Sequence, residues 1–310
     1  MKILFILLLL QSVVVASEVD NFTSRYEPLP DSVEYLNQKT EEAFDQALLL
    51  VNEKKGCSEK NLYKGLRVYF RNHVQGKFNR WLAHTDEISK RPVNNSLSIY
   101  QDFKWYEAPT GALKNIYQDT VAEAIVVNGV QLGTDKFEHF FGRGYAYFHK
   151  LTRKKKSIEA VLKFGHRSEK YLLGSKTTGI YSYGDLAGNF HGMRFWNHLL
   201  AKTQDVLGPE YNQGPYVVCE KGQWQKKMVN NKFPFDWKNY VDASWDEGNN
   251  CSAFRTESLL KKVQKRVQLL EEKTGLRHTC PVEPEAISAL KEKMFPFSKW
   301  FINSDGHKKL

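Results

Sequence analysis

The amino-acid sequence predicts a mainly α-helical protein of the α+β class, with one small β-hairpin and additional helices near both ends of the chain. Two observations predict this class. Apolar residues recur three or four positions apart in several long segments that begin at a Ser, Thr or Asp. One Asn-Gly pair lies between two short apolar runs, which is typical of a hairpin. With 310 residues and 13% aromatic content the chain can bury a core, which excludes a disordered protein.

The N-terminus contains the long apolar run of the sequence. Lys2 precedes this run, and the small residues Ala16 and Ser17 follow it, as in a secretory signal peptide. We therefore expect residues 1–16 to be removed and residues 17–310 to form a single domain that is secreted or periplasmic, without an integral membrane segment. An uncleaved membrane anchor is the alternative, although the run is short for a span.

The next segments are predicted as helices followed by loops. A first helix spans residues 31 or 32 to 54, and a second begins at Ser58 and continues through Trp81. The stretch 90–118 is rich in Pro, Asn and Gly, which favours loops with short extended pieces.

The central region is predicted to alternate between helices and short strands. The hairpin covers 124–132, and helices follow from Thr134 to about Lys150 and from Ser157 to about Leu172. The segment 174–183 is bounded by glycine and rich in Thr and Tyr, which favours a strand or hairpin. Asp185 is expected to open a further helix as its N-cap.

The C-terminal third is predicted to hold an extended stretch at 214–236 and two helices. The first is an amphipathic helix from Thr256 to Lys273 that ends at Gly275, and the second spans residues 283–294.

Four cysteines follow the signal peptide: Cys57, Cys219, Cys251 and Cys280. An even number in an exported protein predicts disulfide bonds, and the lack of a Cys-x-x-Cys pair argues against zinc. Three connectivities are possible. A Cys251–Cys280 bond is favoured because it would join the two ends of the helix predicted between them.

The chain is basic, with 45 Lys+Arg against 35 Asp+Glu and a formal charge of +10. This charge suits anionic partners such as cell-wall polymers or membrane surfaces. The positive residues are scattered and no nucleic-acid-binding motif accompanies them, so we expect no nucleic-acid partner. The short basic run 153–156 is interpreted as a solvated loop, and we expect a monomer without a cofactor.

Glu169 is the first candidate for a catalytic role. It lies on the apolar stripe of the predicted helix 157–172 and near its C-terminal end. Burial and the partial negative charge of a helix C-terminus both raise the pKa of a carboxyl group. A carboxyl of this kind is suited to be a general acid near neutral pH. A structural salt bridge to Arg167 or another base is the alternative.

Asp185 follows Glu169 after the turn-rich segment and supplies a second carboxylate. Two carboxylates that face each other across a cleft are the apparatus of glycoside hydrolysis. Polar and aromatic side chains between and after them could bind sugars. The candidates for this role are Thr178, Tyr181, Ser182, Tyr183 and Asn189.

The order of these pieces resembles the lysozyme superfamily, in which a glutamate at a helix end precedes a β-hairpin that lines the sugar cleft. The longer pattern of GTDKFEHFFGRG (133–144), Glu169, TTGIYSYGDLAGNFHGMRFW (177–196) and DASWDEGNNCS (242–252) resembles an exported bacterial family of lysozymes from predatory bacteria. The resemblance covers residues 130 to 255. It implies a lysozyme-like helical domain with Glu169 as general acid and peptidoglycan, in particular deacetylated peptidoglycan, as substrate.

The resemblance is incomplete at Asp185, because an apolar residue is usual there in common lysozymes. Asp185 could therefore stabilise positive charge, position water, or pair with the amine of a deacetylated sugar. A lytic transglycosylase is a close variant, since a single glutamate can suffice for that reaction.

Asp135 and His139 form a second polar pair on the predicted helix 134–150. They are four residues apart on one helical face, and we interpret them as a hydrogen-bonded pair that supports the cleft. A metal site that recruits Glu138, His139 and His191 is the alternative, but no His-Glu-x-x-His motif supports it, so no metal is expected. Glu138 is also the rival of Glu169 for the role of the acid.

A non-catalytic cell-envelope protein, structural or binding, is the rival from another functional class. In that case Glu169 would be a buried structural group. The exposure of Glu169 separates the two hypotheses, because a general acid should border an open groove.

Overall fold

The computed structural model describes residues 18–54, 56–72, 74–92, 96–104, 106–109 and 121–310. The predicted signal peptide and parts of the predicted loop region 90–118 lie outside these ranges. Within them helices dominate and the sheets have two or three short strands, so the mainly helical α+β class is confirmed. No helix in the described ranges is long and apolar enough to span a membrane.

The N-terminal helices are α1 (Val33–Asn52), α2 (Glu59–Tyr69) and α3 (Lys77–His84). The first prediction is confirmed, but the single helix expected from Ser58 through Trp81 is wrong, because α2 and α3 are separate. The chain turns back on itself between them. A Cβ atom at Gly76 would lie 2.7 Å from the backbone nitrogen of Arg71, so only glycine fits this turn.

Four short strands precede the central helices: β1 (Glu18–Val19), β2 (Val121–Ala122), β3 (Ala124–Val127) and β4 (Val130–Gly133). β1 pairs with β2 in parallel, and β3 pairs with β4 in the predicted antiparallel hairpin. Asn128 and Gly129 both have positive φ, at 54° and 73°. That conformation is what a two-residue turn of this kind requires.

The predicted helix from Thr134 is a continuous helical segment with two wider turns. α4 (Asp135–Glu138) and α5 (Gly144–Phe148) are each followed by one π-helical turn, at His139–Arg143 and His149–Arg153. π-helical turns inside helices are frequent at functional sites. Here the first of them begins at one of the predicted site residues.

The helix predicted from Ser157 is α6 (Ile158–Tyr171), and the Ser157 hydroxyl accepts a hydrogen bond from the Ala160 N–H, as expected of an N-cap. The strand or hairpin predicted at 174–183 is wrong for most of that segment. It forms α7 (Gly174–Thr177) and a two-residue strand, β5 (Ile180–Tyr181). β5 pairs with Ala253–Phe254, so its partner is distant in sequence and not in a local hairpin.

α8 (Tyr183–His198) is buried along nearly its whole length at the centre of the molecule. Its N-cap is Ser182, whose hydroxyl accepts from the Asp185 N–H at 3.0 Å. The prediction that Asp185 caps this helix is therefore wrong, because Asp185 lies inside the first turn. A Cβ atom at Gly192 would lie 1.9 Å from the Phe140 carbonyl oxygen, so glycine allows α8 to pack directly on the π-helical turn.

The C-terminal region contains the hairpin β6 (Val217–Glu220) and β7 (Gln223–Lys226), then β8 (Ala253–Phe254), α9 (Glu257–Thr274), α10 (Pro284–Lys293) and β9 (Lys308–Lys309). Both C-terminal helices match the predictions. Gly275 ends α9 with φ 68°, in the left-handed conformation expected of a helix stop.

Two disulfide bonds are present in the described chain. The predicted Cys251–Cys280 bond is confirmed and joins the residues on either side of α9, and Cys57–Cys219 ties the start of α2 to β6. Disulfide bonds persist in oxidising compartments, so both bonds fit an exported protein.

Candidate functional site

A buried lysine lies at the centre of the candidate site. The Nζ atom of Lys136 is 2.8 Å from Asp135 Oδ2, 2.7 Å from Asp185 Oδ1 and 2.6 Å from Glu247 Oε1. The lysine side chain is completely buried. We call Asp135, Lys136, His139, Asp185 and Glu247 the Lys136 cluster.

Three distant segments supply the members of this cluster. Asp135 and Lys136 come from α4, Asp185 from the first turn of α8, and Glu247 from the loop after the 3₁₀ turn at Ala243–Trp245. Gly184 lets these segments meet, because a Cβ atom there would lie 3.2 Å from both Lys136 Cε and Glu247 Cγ. Folding therefore assembles a charged centre that no single segment contains.

His139 connects the cluster to two residues of α8, Asp185 and Asn189. Its Nε2 lies 3.0 Å from Asp185 Oδ2, and its Nδ1 lies 3.1 Å from Asn189 Oδ1. Burial disfavours a charged imidazole, but the negative charge of Asp185 outweighs it and raises the pKa of His139 to about 9. Asn189 Nδ2 in turn lies 3.4 Å from the Tyr147 hydroxyl. His139 is therefore a second cation beside Asp185 at neutral pH.

Asp185 is a carboxylate whose surroundings favour the ionised form. Burial favours its protonated form, but His139 and Lys136 more than offset that effect and hold its pKa below the usual range. Each of its oxygens already has a cationic partner, Lys136 on Oδ1 and His139 on Oδ2. The predicted hydrogen-bonded pair of Asp135 and His139 is wrong, because Asp135 is bonded to Lys136 and the carboxylate partner of His139 is Asp185.

Glu169 is a carboxyl group whose surroundings favour the protonated form. It lies near the end of α6 and is 1% exposed. Burial, and after it the negative charge of Asp185, raise the pKa of Glu169 to about 8. Its Oε1 accepts a hydrogen bond from the Ser182 N–H at 3.3 Å, and among the described residues it forms no salt bridge, so the pairing with Arg167 does not occur.

Two further glutamates lie against the cluster. Burial raises the pKa of Glu247 to about 6, with Lys136 acting in the opposite direction, and the Ser182 hydroxyl donates to Glu247 Oε1 at 2.7 Å. Glu18 on β1 accepts from the Thr178 hydroxyl at 2.7 Å. Burial, followed by the charges of Asp185 and Glu247, raises the pKa of Glu18 well above its usual value. The site is therefore rich in carboxyl groups of which some keep their protons.

The carboxylates of Asp135, Asp185 and Glu247 have the spacing of metal ligands, with one oxygen of each within 4.8 Å of the others. The ammonium group of Lys136 is bonded to all three. The lysine thus provides the positive charge that this arrangement of carboxylates needs. The alternative metal site of Glu138, His139 and His191 is not gathered in the same way, because none of these residues belongs to this group of carboxylates.

The predicted sugar-binding residues do not line one open face. Ser182 and Asn189 are buried in the polar network, and Thr178 is bonded to Glu18. The Tyr181 hydroxyl contacts His166 Nδ1, and the half-buried Tyr183 packs edge-on against Tyr181 with ring centroids 5.2 Å apart. Of these five residues Ser182 contacts Glu169 directly, through its N–H, and Tyr183 is the more accessible of the two tyrosines.

Lys136 and Glu18 are the site residues that sequence reasoning missed, and Glu247 lies within the motif DASWDEGNNCS (242–252) without being singled out there. A signal for Lys136 was present: it lies four residues before Phe140 and eight before Gly144, on the buried face of the helical segment. A lysine on a buried face is rarely tolerated without partners. Glu18 offers no such signal, because its strand has only two residues.

Comparison with known proteins finds no matching family model, no similar curated protein and no similar solved structure. The resemblance to lysozymes therefore rests on the sequence motifs alone and stays a prediction.

Proposed function

We propose that the chain is an exported glycosidase that cleaves the glycan strands of peptidoglycan, with Glu169 as the general acid. The observation that carries this proposal is the pair of carboxyl groups with opposite pKa shifts in one buried site, Glu169 upward and Asp185 downward. When the surroundings shift the pKa values of two carboxyl groups in opposite directions, one group can donate a proton at neutral pH while the other stays ionised. Peptidoglycan, and its deacetylated form in particular, is chosen because of the sequence resemblance.

Asp185 would act by its charge in this mechanism. Lys136 and His139 already occupy its two oxygens, so a nucleophilic attack would first require one of these contacts to break. An ionised carboxylate held in this way is suited to stabilising positive charge on the sugar or to orienting a water molecule. The same observation favours lytic transglycosylase chemistry as a variant, because that reaction requires no second protein nucleophile.

Glu169 is buried and does not border an open groove, so the criterion stated above for a general acid is not met, and this favours a second candidate function. At 1% exposure its carboxyl meets a glycosidic oxygen only after a neighbouring segment has moved. α7 is one such segment, because a Cβ atom at Gly174 would lie 1.8 Å from Glu169 Oε1. If α7 stays in place, the charged cluster is a structural centre and the chain is a non-catalytic protein of the cell envelope.

Incubation of the wild-type protein and Glu169→Gln with native and chemically deacetylated peptidoglycan tests the proposal. Released fragments are identified by mass spectrometry. We expect cleavage by the wild type and a loss of about 10²–10⁴-fold in the variant, the usual contribution of a general acid. A product lighter by one water identifies the transglycosylase reaction. Glu159→Gln, an exposed glutamate of the same helix, is the matched control and should cleave normally.

Sedimentation with insoluble peptidoglycan separates the remaining outcomes. Binding without cleavage by the folded wild type would support the envelope-binding candidate and reject the enzyme. Equal cleavage by the wild type and Glu169→Gln would remove Glu169 from the mechanism and direct attention to Glu138.

A further inference from the structure

A cavity lies away from the Lys136 cluster and is unrelated to the proposed cleavage. Its volume is about 460 Å³, within the usual range for sites that bind small organic molecules. It opens between the π-helical turn His149–Arg153, the second half of α8 and the loop 203–206. None of the cluster residues lines it.

The cavity combines an apolar lining with cationic groups. Leu151, Met193 and Val206 are its apolar members, and the lining as a whole is more apolar than polar. The charged members are Lys155, Lys156, Arg194 and Asp205. The cavity therefore has three positive groups and a single carboxylate.

That carboxylate is already neutralised from within the protein. Arg194 Nε lies 2.9 Å from Asp205 Oδ2, and Arg194 Nη1 lies 2.9 Å from His191 Nδ1. Both Arg194 and Asp205 are buried, so this pair is a fixed part of the floor. Lys155 and Lys156 remain as positive charge without a counter-ion among the residues that the structure describes.

The two lysines belong to the basic run 153–156, for which the sequence predicts a solvated loop. Both are exposed at the cavity mouth, and neither forms a salt bridge with any described residue. Arg153 differs from them because it pairs with Glu59 at 3.2 Å. Lys155 also has φ 48°, a conformation that non-glycine residues rarely adopt. The loop thus carries its free charge at the edge of an apolar cavity.

We propose that this cavity binds a small organic anion with an apolar body, the apolar part against Leu151, Met193 and Val206 and the acidic group between Lys155 and Lys156. A neutral apolar molecule would leave the two ammonium groups without a partner. A bare inorganic anion would leave the apolar lining unfilled. Only a molecule with both parts matches the lining and the charge.

Titration of the protein, labelled with ¹³C at its methionine methyl groups, with octanoate tests this proposal. Met193 lines the cavity, whereas Met228 and Met294 do not, so they serve as internal references. We expect a saturable shift of the Met193 signal and none of the other two. Octylamine has the same chain with the opposite charge and should bind at least tenfold more weakly.

Charge substitutions at the mouth complete the test. The double variant Lys155→Gln/Lys156→Gln should weaken octanoate binding by about tenfold, from the usual strength of exposed ion pairs. Lys154→Gln removes the same kind of charge from the same loop outside the cavity and should change the affinity less than twofold. Unchanged Met228 and Met294 signals show that the variants are folded.

Four results would overturn the proposal: no Met193 shift at saturating octanoate, equal binding of octylamine, equal binding of inorganic phosphate, or wild-type affinity in the double variant. None of these readouts depends on cleavage of a glycan, so they are independent of the proposed function.

Discussion

The ammonium group of Lys136 lies 2.7 Å from Oδ1 of Asp185, a residue 49 positions further along the chain. The other oxygen of Asp185 lies 3.0 Å from Nε2 of His139, one helical turn after Lys136. One turn of helix therefore presents two cations to one carboxylate. Asp185 also lies in the first turn of α8, where the helix dipole favours negative charge. These contacts fix the orientation of Asp185 and hold the two central helical segments together.

Lys136→Met should strongly destabilise the protein. The substitution leaves Asp135, Asp185 and Glu247 without their shared cation in a buried site, and breaking a buried ion pair costs about 3–5 kcal/mol. Urea unfolding at pH 7 measures this loss. The difference from the wild type should shrink toward pH 4, because the unpaired carboxylates then take up protons.

Lys163→Met is the matched control, since Lys163 is exposed on α6. Its free energy of unfolding should stay within about 0.5 kcal/mol of the wild type. A loss below about 1 kcal/mol in Lys136→Met would show that the cluster rearranges around the gap and is not a rigid charged centre.

The stability of the protein should fall as the pH rises from about 6.5 to 9, and His139 should cause much of this fall. The pKa of His139 is raised from 6.5 to about 9 in the folded protein, so the folded state retains a proton that the unfolded state releases. The stabilisation is complete below pH 6.5 and is lost as the pH passes through 9. We expect His139→Gln to reduce the change in the free energy of unfolding across this pH window by on the order of 3 kcal/mol.

Glu169 should also make the protein less stable as the pH rises, but over a lower range of pH than His139. The folded pKa of about 8 lies above the ordinary 4.5, so the folded state binds more protons between these values and loses stability as the pH rises. Glu169→Gln, which cannot ionise, should flatten the curve between pH 4.5 and 8. Denaturant unfolding at five or six pH values distinguishes the variants, and a wild-type curve for Glu169→Gln would contradict the raised pKa of Glu169.

The elements that the sequence predicts well are those set by local chemistry. Ser157 and Thr256 cap their helices through hydrogen bonds to N–H groups three residues ahead, and Asn128-Gly129 forms its turn within four residues. The segment 174–183 was mispredicted because its strand pairs with residues 253 and 254. A pairing over more than 70 residues leaves no trace in the local pattern.

The same distinction between local and long-range interactions applies to the candidate site. Glu169, His139 and Asp185 can be proposed individually, from burial on a helical face or from spacing. Their arrangement around Lys136 cannot, because the lysine collects carboxylates from segments up to 111 residues away. The sequence therefore predicts which groups are buried and charged, whereas their pairing depends on the tertiary fold.

Gly174→Ala should destabilise the protein and disturb Glu169. The added methyl group would lie 1.8 Å from Glu169 Oε1 and 2.6 Å from the Ile180 carbonyl oxygen, and the second atom belongs to the backbone. Overpacking of this kind costs about 1–3 kcal/mol. Gly142→Ala is the control, because the nearest atom there is 3.6 Å away. Equal unfolding midpoints in urea for the two variants would show that α7 yields readily, which would favour access to Glu169.

The two disulfide bonds should differ in their contribution to stability, and the longer loop should contribute more. Cys57–Cys219 closes 162 residues and Cys251–Cys280 closes 29, for which the chain-entropy relation gives about 5 and about 3.6 kcal/mol. Denaturant unfolding of the two paired Cys→Ala variants measures both. Packing favours the opposite order of the two contributions, because Cys251 and Cys280 are buried against the core around α9 and their replacement also removes packing contacts. A larger loss in the Cys251→Ala/Cys280→Ala protein would therefore show that packing outweighs loop closure in this region.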